Sequence, residues 1–446
     1  MSGTLAELAP HDPRIAAVTR MLRDRGVSHG DAVAWQLPNT DAAMALLWAC
    51  WSMGAIAVPI HHRATDTEVR DMLGRLDVAA VIDAGEAKAA LGNVGSMPSA
   101  SAAAPVAVAP HDLALILHTS GSSGVPKAVR HSHRALAYKA VVMAATHGLG
   151  PDDCVLMPAP LAHISGILNG VLVPAAARMR TVLMERWDPD HAIDLIHATG
   201  VTFMVGPPTF FLGMKDAKKF RRTKIRSLRL ISAGGAGVTR DVCEDLAWLF
   251  DATVKRSYGS TEAPTVATSH VGDPVERGWT TDGRAVGAAE LRLSESGELE
   301  VRGPELFVGY VDAAQTAAAM TADGWFRTGD LATIDDGWLT ITGRLSDVII
   351  RGGENISPAE VEAVLSRHPA VRQAAVIGWP DERLGQQVRA VVELSVARGR
   401  LSTFGVDECR RWCEEQGLAR FKWPEAVMAV DAIPLLPSGK PDRKAL

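Results

Sequence analysis

The sequence predicts an α/β protein with a large N-terminal domain, a small β-rich subdomain and a small α+β domain at the C-terminus. Apolar strand-like runs alternate with helical runs from Ala42 to Gly259, which is typical of a parallel sheet covered by helices. After about Asp282 the strands are shorter and turn residues are more frequent, and after Asp347 strands and helices alternate again. The length of 446 residues also exceeds what one hydrophobic core usually organises.

The first series of elements begins with a helix and a strand. We expect helix Ala42–Ser52, strand Ala55–Val58, helix Glu68–Leu76 and strand Val78–Ile82. The uncharged stretch from Ala42 to Ile60 is long enough to cross a membrane. Gly54 and Pro59 interrupt it, however, and favour a buried helix, a turn and a short strand. We therefore expect no membrane span.

A second series of elements follows a connector. Residues 95–110 are rich in Ala, Ser and Pro and lack periodicity, which indicates a surface connector. We then expect strands Leu113–Leu117, Val155–Pro160, Thr202–Gly206, Leu228–Gly235 and Ala252–Gly259, a helix after Pro189 and a helix over Thr239–Phe250.

The last third of the chain is predicted as short strands and then a compact α+β domain. Short strands are expected within 289–303 and 336–344, further strands at 348–353, 373–378, 388–394 and 426–430, and helices at 358–367 and 407–416. The boundary is placed at Arg344 to Ser346. This gives an N-terminal core over 1–345 and a C-terminal domain over 346–446.

Composition and charge restrict the class of function. Hydrophobic residues make up 47% and charged residues 22% of the chain, which is ordinary for a globular protein. The net charge of -5 gives no general attraction for nucleic acid or anionic lipid, so we expect no nucleic-acid partner and a small ligand bound locally. Five cysteines and an N-terminus unlike a signal peptide predict free thiols in a cytoplasmic protein. Cys409 and Cys413 could share a helix face, but two thiols make a poor zinc site.

One loop concentrates groups that bind anions. The stretch HTSGSSGVPKAVRHSH, residues 118–133, follows an apolar strand. Its glycines and serines leave backbone N–H groups free to face a phosphate, and Lys127 adds positive charge. The loop is not a Walker A motif, because Pro126 and Ala128 stand where that motif needs Gly and then Ser or Thr. Taken alone, the loop also suits a Gly/Ser-rich surface turn.

Four further motifs follow in order. They are YGSTE at 258–262, WFRTGD at 325–330, GRLSDVIIRGGENISPAEVE at 343–362 and PSGKPDRK at 437–444. With the loop, they resemble the signature blocks of the adenylate-forming superfamily, which includes acyl-CoA synthetases, peptide-synthetase adenylation domains and firefly-type luciferases. The resemblance runs from about Ala32 to the C-terminus. It implies stacked α/β sheets, a β-barrel-like subdomain and a mobile C-terminal domain.

The resemblance also implies ATP, Mg²⁺ and coenzyme A as ligands. In such enzymes a carboxylate attacks the α-phosphorus of ATP and expels pyrophosphate, and a thiol then attacks the acyl-adenylate. The residues implied to contact the nucleotide are Thr119, Ser120, Gly121, Ser122, Ser123, Gly124, Lys127, Gly234, Gly235, Ala236, Tyr258, Gly259 and Ser260. Thr261 is implied to hold the α-phosphate and Glu262 to bind Mg²⁺. Asp330 and Arg344 are implied to hold the ribose. Taken singly, these residues also suit a core tyrosine, a turn aspartate and a surface arginine.

Two further groups belong to the C-terminal region. By position Lys440 is a solvated tail residue, but the resemblance implies that it bridges the acyl carboxylate and the α-phosphate during adenylation. The hinge of the domain rotation falls on Ser346, where relatives usually have Asp or Lys. The residues implied to line a thiol channel after rotation are Gly352, Gly353, Glu354 and Asn355. They resemble acyl- and aryl-CoA ligases, although a plain β-turn is the alternative interpretation. The basic run 215–229 suits CoA phosphates, a carrier protein or simply a solvated face.

The substrate block is PLAHISG at 160–166. Its histidine, His163, is implied to flank the acyl carbonyl, whereas a packed core histidine is the alternative interpretation. The block offers no carboxylate to pair with an ammonium group, so an α-amino acid substrate is not expected. Ala162 stands where relatives often have a bulky aromatic residue. With Gly166, Gly206, Pro207 and Gly235 nearby, it predicts a roomy apolar pocket for an alicyclic, aromatic or medium-chain acid.

The function implied by the resemblance is that of an ATP-dependent carboxylic acid:CoA ligase. The alternatives are an acyl-AMP ligase that loads a carrier-protein phosphopantetheine, a luciferase-like oxygenase and a catalytically silent nucleotide-binding module. We expect either a monomer or a homodimer.

Overall fold

The computed structural model describes residues 3–92, 107–119, 127–234, 238–397, 400–401, 403–435, 441–443 and 445–446. The chain divides into two compact units. The larger unit comprises Met1–Gly234, Arg240–Leu291 and Val301–Phe326, and the smaller unit comprises Gly235–Thr239, Arg292–Glu300 and Arg327–Leu446. The mixed α/β fold with a large and a small part is the one predicted, while the domain boundary at 345/346 stays a prediction.

The described elements are numbered along the chain. The strands are β1 Ala32–Gln36, β2 Ile56–Ile60, β3 Val78–Ile82, β4 Leu113–Thr119, β5 Lys127–Ser132, β6 Cys154–Met157, β7 Arg180–Leu183, β8 Phe203–Gly206, β9 Leu230–Gly234, β10 Thr253–Tyr258, β11 Ala267–Thr268, β12 Arg284–Ala285, β13 Glu290–Leu293, β14 Glu298–Arg302, β15 Gly309–Tyr310, β16 Phe326–Asp335, β17 Trp338–Arg344, β18 Ile349–Arg351, β19 Glu354–Ile356, β20 Val371–Asp381, β21 Gly385–Leu394, β22 Val396–Ala397, β23 Arg400–Leu401 and β24 Ala426–Val430. The α-helices are α1 Pro13–Asp24, α2 Asp41–Met53, α3 Asp66–Leu73, α4 Ala84–Gly92, α5 His133–His147, α6 Ile164–Ile167, α7 Val173–Ala177, α8 Pro189–Thr199, α9 Pro208–Lys215, α10 Arg222–Ile225, α11 Arg240–Phe250, α12 Val275–Thr280, α13 Ala313–Ala319, α14 Pro358–Leu365 and α15 Val406–Glu415.

The first sheet of the larger unit has the strand order β15-β5-β4-β2-β1-β3. The strands β1, β2, β3 and β4 are parallel, which confirms the parallel sheet expected from the alternation. The strands β5 and β15 add an antiparallel edge, since β4 and β5 form a hairpin and β15 pairs with β5. This edge positions the residues on either side of the predicted phosphate loop.

The helix α2 is buried against this sheet. Its cap Thr40 accepts a hydrogen bond from the Ala43 N–H, and Gly54 ends it in the left-handed conformation at φ 74°. Most of its side chains are buried and belong to the main hydrophobic core, which explains a helix that is apolar on nearly every face. Among the described residues, every helix is too short or too polar to span a bilayer.

The second sheet of the larger unit carries the central parallel strands. The strands β7, β6, β8, β9 and β10 are parallel neighbours, and β10 then pairs antiparallel with β11. Consecutive parallel strands end at one edge, where Gly206, Gly234 and Tyr258 are the last residues of β8, β9 and β10. Ligands of open α/β sheets bind outside this carboxyl edge, so the fold itself places a site there.

The smaller unit has its own core. The strands β16 and β17 form an antiparallel hairpin, and β18, β19, β20, β21 and β24 form a sheet. Side chains from this sheet, α14 and α15 make one apolar cluster that includes Cys409 and Cys413. These two cysteines share the buried face of α15, and all five cysteines are free thiols, as predicted.

Candidate active site

The hairpin β4–β5 sets the ends of the predicted phosphate loop. Thr119, the last residue of β4, lies opposite Lys127, the first residue of β5. The residues predicted to contact the nucleotide or substrate that lie outside the described part of the chain are Ser120, Gly121, Ser122, Ser123, Gly124, Gly235, Ala236 and Lys440. The strand ladder therefore fixes the lysine at the point where the loop rejoins the sheet.

Tyr310 connects Lys127 to Glu262. The Lys127 Nζ lies 5.0 Å from the centroid of the Tyr310 ring, a cation–π arrangement. The Tyr310 Oη donates a hydrogen bond of 2.7 Å to Glu262 Oε1. Burial, reinforced by the negative charge of Glu262, raises the pKa of Tyr310, so its hydroxyl remains protonated and remains a donor. Lys127 and Glu262, which are more than a hundred positions apart in the sequence, therefore both contact the Tyr310 side chain.

Sequence reasoning missed Tyr310. It belongs to β15, a strand of two residues, which is too short to show any periodicity. The available signal was composition, because the chain has only three tyrosines and this one follows the predicted short strands at FVGY. Its 2% exposure and its pairing with Val129 of β5 depend on the tertiary fold.

The YGSTE motif forms a turn after β10 that is held by hydrogen bonds. The Ser260 N–H donates to the Ala263 carbonyl at 3.0 Å, and the Ala263 N–H donates to Ser260 Oγ at 3.2 Å. The Thr261 carbonyl lies 2.8 Å from His131 Nε2. Burial lowers the pKa of His131 to about 4, so its ring is neutral near pH 7 and Nε2 carries the proton that it donates to that carbonyl.

Two glycines near the predicted acyl pocket are required by packing. A Cβ on Gly166 would lie 2.1 Å from the Pro160 carbonyl oxygen, and a Cβ on Gly206 would lie 2.7 Å from the Phe210 ring. The ring of Phe210 in turn stacks on Trp187 at 4.4 Å. Neighbouring atoms therefore occupy the space beside both glycines, so these two residues do not support the roomy pocket predicted from the sequence.

His163 lies next to a second histidine that the sequence analysis did not identify. His163 precedes α6, and its ring centroid is 5.4 Å from that of His61, which follows β2. The Nε2 of His163 is buried and has no hydrogen-bond partner among the described residues. Burial lowers the pKa of His163, and burial together with His163 lowers the pKa of His61 to about 4. Near pH 7 both rings are neutral and can hydrogen-bond a carbonyl or hydroxyl without adding charge.

Asp330 and Arg344 form an ion pair in the smaller unit. They are opposite residues of β16 and β17, and Arg344 Nε donates to Asp330 Oδ1 at 2.6 Å. Asp330 is 8% exposed, whereas about half of the Arg344 side chain is exposed. The two residues implied to hold the ribose are therefore in contact, and the Asp330 carboxylate is an acceptor held in a fixed orientation.

The residues Gly352, Gly353, Glu354 and Asn355 lie on the hairpin β18–β19. Arg351 pairs with Glu354, so the two glycines form a two-residue turn, and both have positive φ, 57° and 91°. Such turns favour glycine at both positions. The turn geometry alone accounts for the two glycines, while Glu354 and Asn355 are exposed.

Residues on both sides of the Lys440 segment are anchored. Leu435 and Pro441 form an isolated antiparallel bridge. Arg443 forms ion pairs with Asp347 at 3.1 Å and with Glu362 at 2.6 Å. Arg443 was not singled out from the sequence, since a terminal arginine gives no signal until its two acidic partners are brought beside it.

Several cations of the basic run 215–229 already have partners. Lys219 pairs with Asp194 at 2.5 Å, and Arg222 lies over the Trp248 ring at 5.2 Å. These surface contacts favour the interpretation of the run as a solvated face.

Comparison with known proteins supports the class that the fold and motifs define. Residues 9–311 match the family model of AMP-binding enzymes, and residues 360–440 match that of the AMP-binding enzyme C-terminal domain. A 3-[(3aS,4S,7aS)-7a-methyl-1,5-dioxo-octahydro-1H-inden-4-yl]propanoyl:CoA ligase from Rhodococcus jostii (strain RHA1) is 34% identical over 475 residues, covering 96% of this chain and 91% of the relative. A feruloyl-CoA synthase from Amycolatopsis sp is 34% identical over 461 residues, covering 98% and 92%. The crystal structure of ATP-bound MatB from Rhodopseudomonas palustris superposes with a TM-score of 0.88 at 27% identity, covering 99% and 92%.

The chain therefore belongs to the adenylate-forming superfamily of AMP-binding enzymes, in its acyl-CoA synthetase branch. It is an AMP-forming acid–thiol ligase.

Proposed function

We propose that this enzyme is an ATP-dependent ligase that joins an apolar alicyclic, aromatic or medium-chain carboxylic acid to coenzyme A. The observation that carries the proposal is the arrangement of Lys127, Tyr310 and Glu262, which holds a cation and a carboxylate on one buried ring. Relatives that act on an alicyclic propanoate and on ferulate support the substrate class.

The carboxylate of Glu262 suits a magnesium ion. Its Oε1 is occupied by Tyr310 Oη, and within the described residues Oε2 has no hydrogen-bond partner. An ionised carboxylate oxygen is a ligand that Mg²⁺ prefers. When bound, this ion would neutralise charge on the phosphates of ATP.

Phosphoryl transfer requires the protein to position charge more than to supply covalent chemistry. In our proposal Thr119, Lys127 and the intervening loop hold the terminal phosphates. Tyr258 offers a flat face for adenine at the carboxyl edge of β10, and Thr261 holds the α-phosphate. Asp330, oriented by Arg344, accepts hydrogen bonds from the ribose hydroxyls.

The acyl group is proposed to lie beside His163 and His61. Two neutral imidazoles can hydrogen-bond an acyl oxygen and so orient it. Because they carry no charge, an apolar acyl group can pack beside them without desolvating an ion. The absence of a carboxylate from residues 160–166 supports an acid without an α-ammonium group.

A variant at Lys440 tests the proposed two-step mechanism. We expect Lys440→Ala to abolish formation of acyl-AMP and release of pyrophosphate, because an ammonium group that offsets charge in the first step is lost. Transfer of the acyl group from supplied acyl-AMP to CoA should persist. The matched control is Lys422→Ala, which removes a lysine ion-paired with Glu360 in the same unit. Unchanged pyrophosphate release in the Lys440 variant would overturn its assigned role.

The acyl acceptor is tested separately. Pyrophosphate release should be screened across short, medium-chain, aromatic and alicyclic acids, and the best acid should then be offered with CoA and with a phosphopantetheine-bearing carrier protein. We expect turnover with an apolar acid and CoA. Acylation of the carrier protein alone would replace our proposal with an acyl-AMP ligase.

A further inference from the structure

A cavity that is partly open to solvent lies in the larger unit at the amino ends of β9 and β10. Its volume is about 230 Å³. Leu230 and Thr253 are the first residues of these strands and line it, whereas Gly234 and Tyr258 end the same strands at the edge assigned to ATP. Lys255 precedes Tyr258 by three residues, which corresponds to roughly 10 Å along a strand. The cavity is therefore separate from the candidate active site.

The wall of the cavity is rich in basic groups. Its basic lining residues are His147, Arg229, Lys255 and His270, and its one acidic lining residue is Asp273. Asp273 already accepts hydrogen bonds from Nη2 and Nε of Arg284, at 2.8 and 3.0 Å. Arg229 is likewise paired with Asp153 at 2.7 Å, and burial lowers the pKa of His147 and of His270, so both rings are neutral near pH 7. The positive charge of this wall that forms no ion pair within the described residues is therefore that of Lys255.

Lys255 is the group least compensated by its surroundings. It is 4% exposed, and its Nζ donates to the Ser269 carbonyl oxygen at 2.6 Å. Within the described part of the chain, no carboxylate lies within ion-pairing distance of this ammonium group. Burial lowers the pKa of Lys255 to about 8, against the opposing effect of Asp273. A buried cation without a direct ion pair is costly, and an anion in the cavity would lower that cost.

Two more polar groups of the cavity wall lack partners. The Nδ1 of His147 and the Oγ of Ser269 are buried and have no hydrogen-bond partner among the described residues. Both side chains are almost fully inaccessible, with 2% and 5% exposure of the residues. Buried polar atoms are nearly always hydrogen-bonded, so these two groups, beside the Lys255 ammonium that forms no ion pair, are suited to contact a small polar ligand.

We propose that this cavity is a second ligand site of the enzyme and binds a small oxyanion, either a carboxylate or a phosphate. The ammonium of Lys255 supplies the charge, Ser269 Oγ a donor and His147 Nδ1 a further polar contact. Apolar lining residues such as Leu230, Val254 and Val275 leave room for a short carbon chain. The volume is below the roughly 300–1,000 Å³ of sites for drug-sized ligands, so a nucleotide or CoA is too large.

Crystallography with an anomalous scatterer locates the anion directly. Crystals of the full-length enzyme should be soaked in selenate. We expect an anomalous peak within hydrogen-bonding distance of Lys255 Nζ and Ser269 Oγ. A peak at the nucleotide loop alone, or none in the cavity, would contradict the proposal.

Binding in solution tests the same site with matched variants. Inorganic phosphate and butanoate should each be titrated by calorimetry into wild type, Lys255→Met, Val275→Trp, Lys219→Met and Lys127→Met. Val275 is 46% exposed at the wall of the cavity, so a tryptophan there blocks the space without removing a charge. Lys219 is a surface lysine paired with Asp194 and serves as the control for loss of one positive charge.

We expect Lys255→Met and Val275→Trp to weaken binding of at least one of the two anions by tenfold or more, and Lys219→Met to leave it unchanged. The anion that is lost identifies the ligand class, carboxylate or phosphate. Val275→Trp keeps the test decisive if Lys255→Met does not fold. Binding that is lost only in Lys127→Met would place the anion at the nucleotide loop and overturn the proposal.

Discussion

Tyr310 makes two contacts with different parts of one side chain. Its ring faces the Lys127 ammonium, while its hydroxyl donates to Glu262. The position of the lysine ammonium and the orientation of the carboxylate therefore depend on a residue outside every signature motif. Removing the hydroxyl and removing the ring should have different effects on the reaction.

We predict that Tyr310→Phe lowers kcat/KM for acid-dependent pyrophosphate release by roughly 10- to 100-fold. A hydrogen bond to a charged group contributes about 1.5–3 kcal/mol, and about 1.4 kcal/mol corresponds to a factor of ten in rate. Tyr310→Leu should additionally raise the KM for ATP, because the ring beneath Lys127 is lost. Steady-state kinetics with varied ATP measures both effects.

The control is Tyr138→Phe. Tyr138 Oη accepts a 2.7 Å hydrogen bond from the exposed Ala288 N–H elsewhere in the larger unit, so this variant also loses one hydrogen bond of a tyrosine hydroxyl. Its kinetics should resemble wild type. Equal activity of the two Tyr→Phe variants would show that Tyr310 does not act through Glu262.

At the scale of elements, Arg443 holds the end of the chain to the smaller unit. It pairs with Glu362 of α14 and with Asp347, directly after the proposed hinge at Ser346. The Oγ of Ser346 also donates to Asp347 Oδ1 at 2.9 Å. One guanidinium thus connects the helix, the hinge region and the segment that contains Lys440.

We predict that Arg443→Ala reduces the rate of acyl-AMP formation by about 10- to 100-fold, since a displaced catalytic group loses much of its positional advantage. The KM for CoA in the second step should change little when acyl-AMP is supplied. Single-turnover measurements of each step test this separation.

Arg372→Ala is the matched control for Arg443. Arg372 pairs with Glu393 at 2.7 Å in the same unit but is largely exposed and remote in sequence from Lys440. If both arginine variants slow adenylation equally, the effect comes from general loss of an ion pair and not from anchoring of the tail.

The elements that the sequence predicted are those with strong local signals. The strands β3 and β24 have the predicted bounds, and α11 and α15 begin within one residue of theirs. The helix α5 was missed, although Ser132 caps it and Gly148 ends it. It is buried on almost every side, so its apolar residues show no 3.6-residue period.

At the scale of the whole molecule, buried histidines make stability depend on pH. Burial lowers the pKa of His61, His118, His131 and His133 in the larger unit, each to about 4. In the unfolded chain a histidine has a pKa of about 6.5. Between these values the unfolded state binds protons that the folded state does not, so stability is present above about pH 6.5 and is lost as the pH falls towards 4.

We predict that His133→Leu flattens the decrease in thermal midpoint between pH 7.5 and pH 5.5. His133 is fully buried, and both of its ring nitrogens lack partners among the described residues. At pH 5.5 the proton linkage of one such histidine amounts to about 1.4 kcal/mol. Differential scanning calorimetry across the pH range measures the slope.

The exposed His191→Leu variant controls for the change in side chain. It should keep the pH dependence of wild type. A slope for His133→Leu that matches wild type would mean that this histidine is protonated equally in the folded and unfolded states.

The motifs could be predicted from the sequence, but the contacts between them could not. The resemblance of the ordered motifs to a known family implied roles for Lys127, Glu262, Asp330 and Arg344, and those roles stay predictions. The contribution of Tyr310, His61 and Arg443 depends on strand pairing and burial that no local pattern encodes. Glycine was the residue type most easily misread, because Gly166 and Gly206 avoid clashes with neighbouring atoms and do not widen a pocket.

The pairing of Lys127 with Thr119 across β4 and β5 has a consequence for engineering. Because Thr119 and Lys127 face each other across β4 and β5, the two ends of residues 120–126 are set by the sheet and not by the residues between them. That segment can thus be exchanged as a cassette, grafted from another ligase or randomised in a library, while the ammonium group at its border keeps its place.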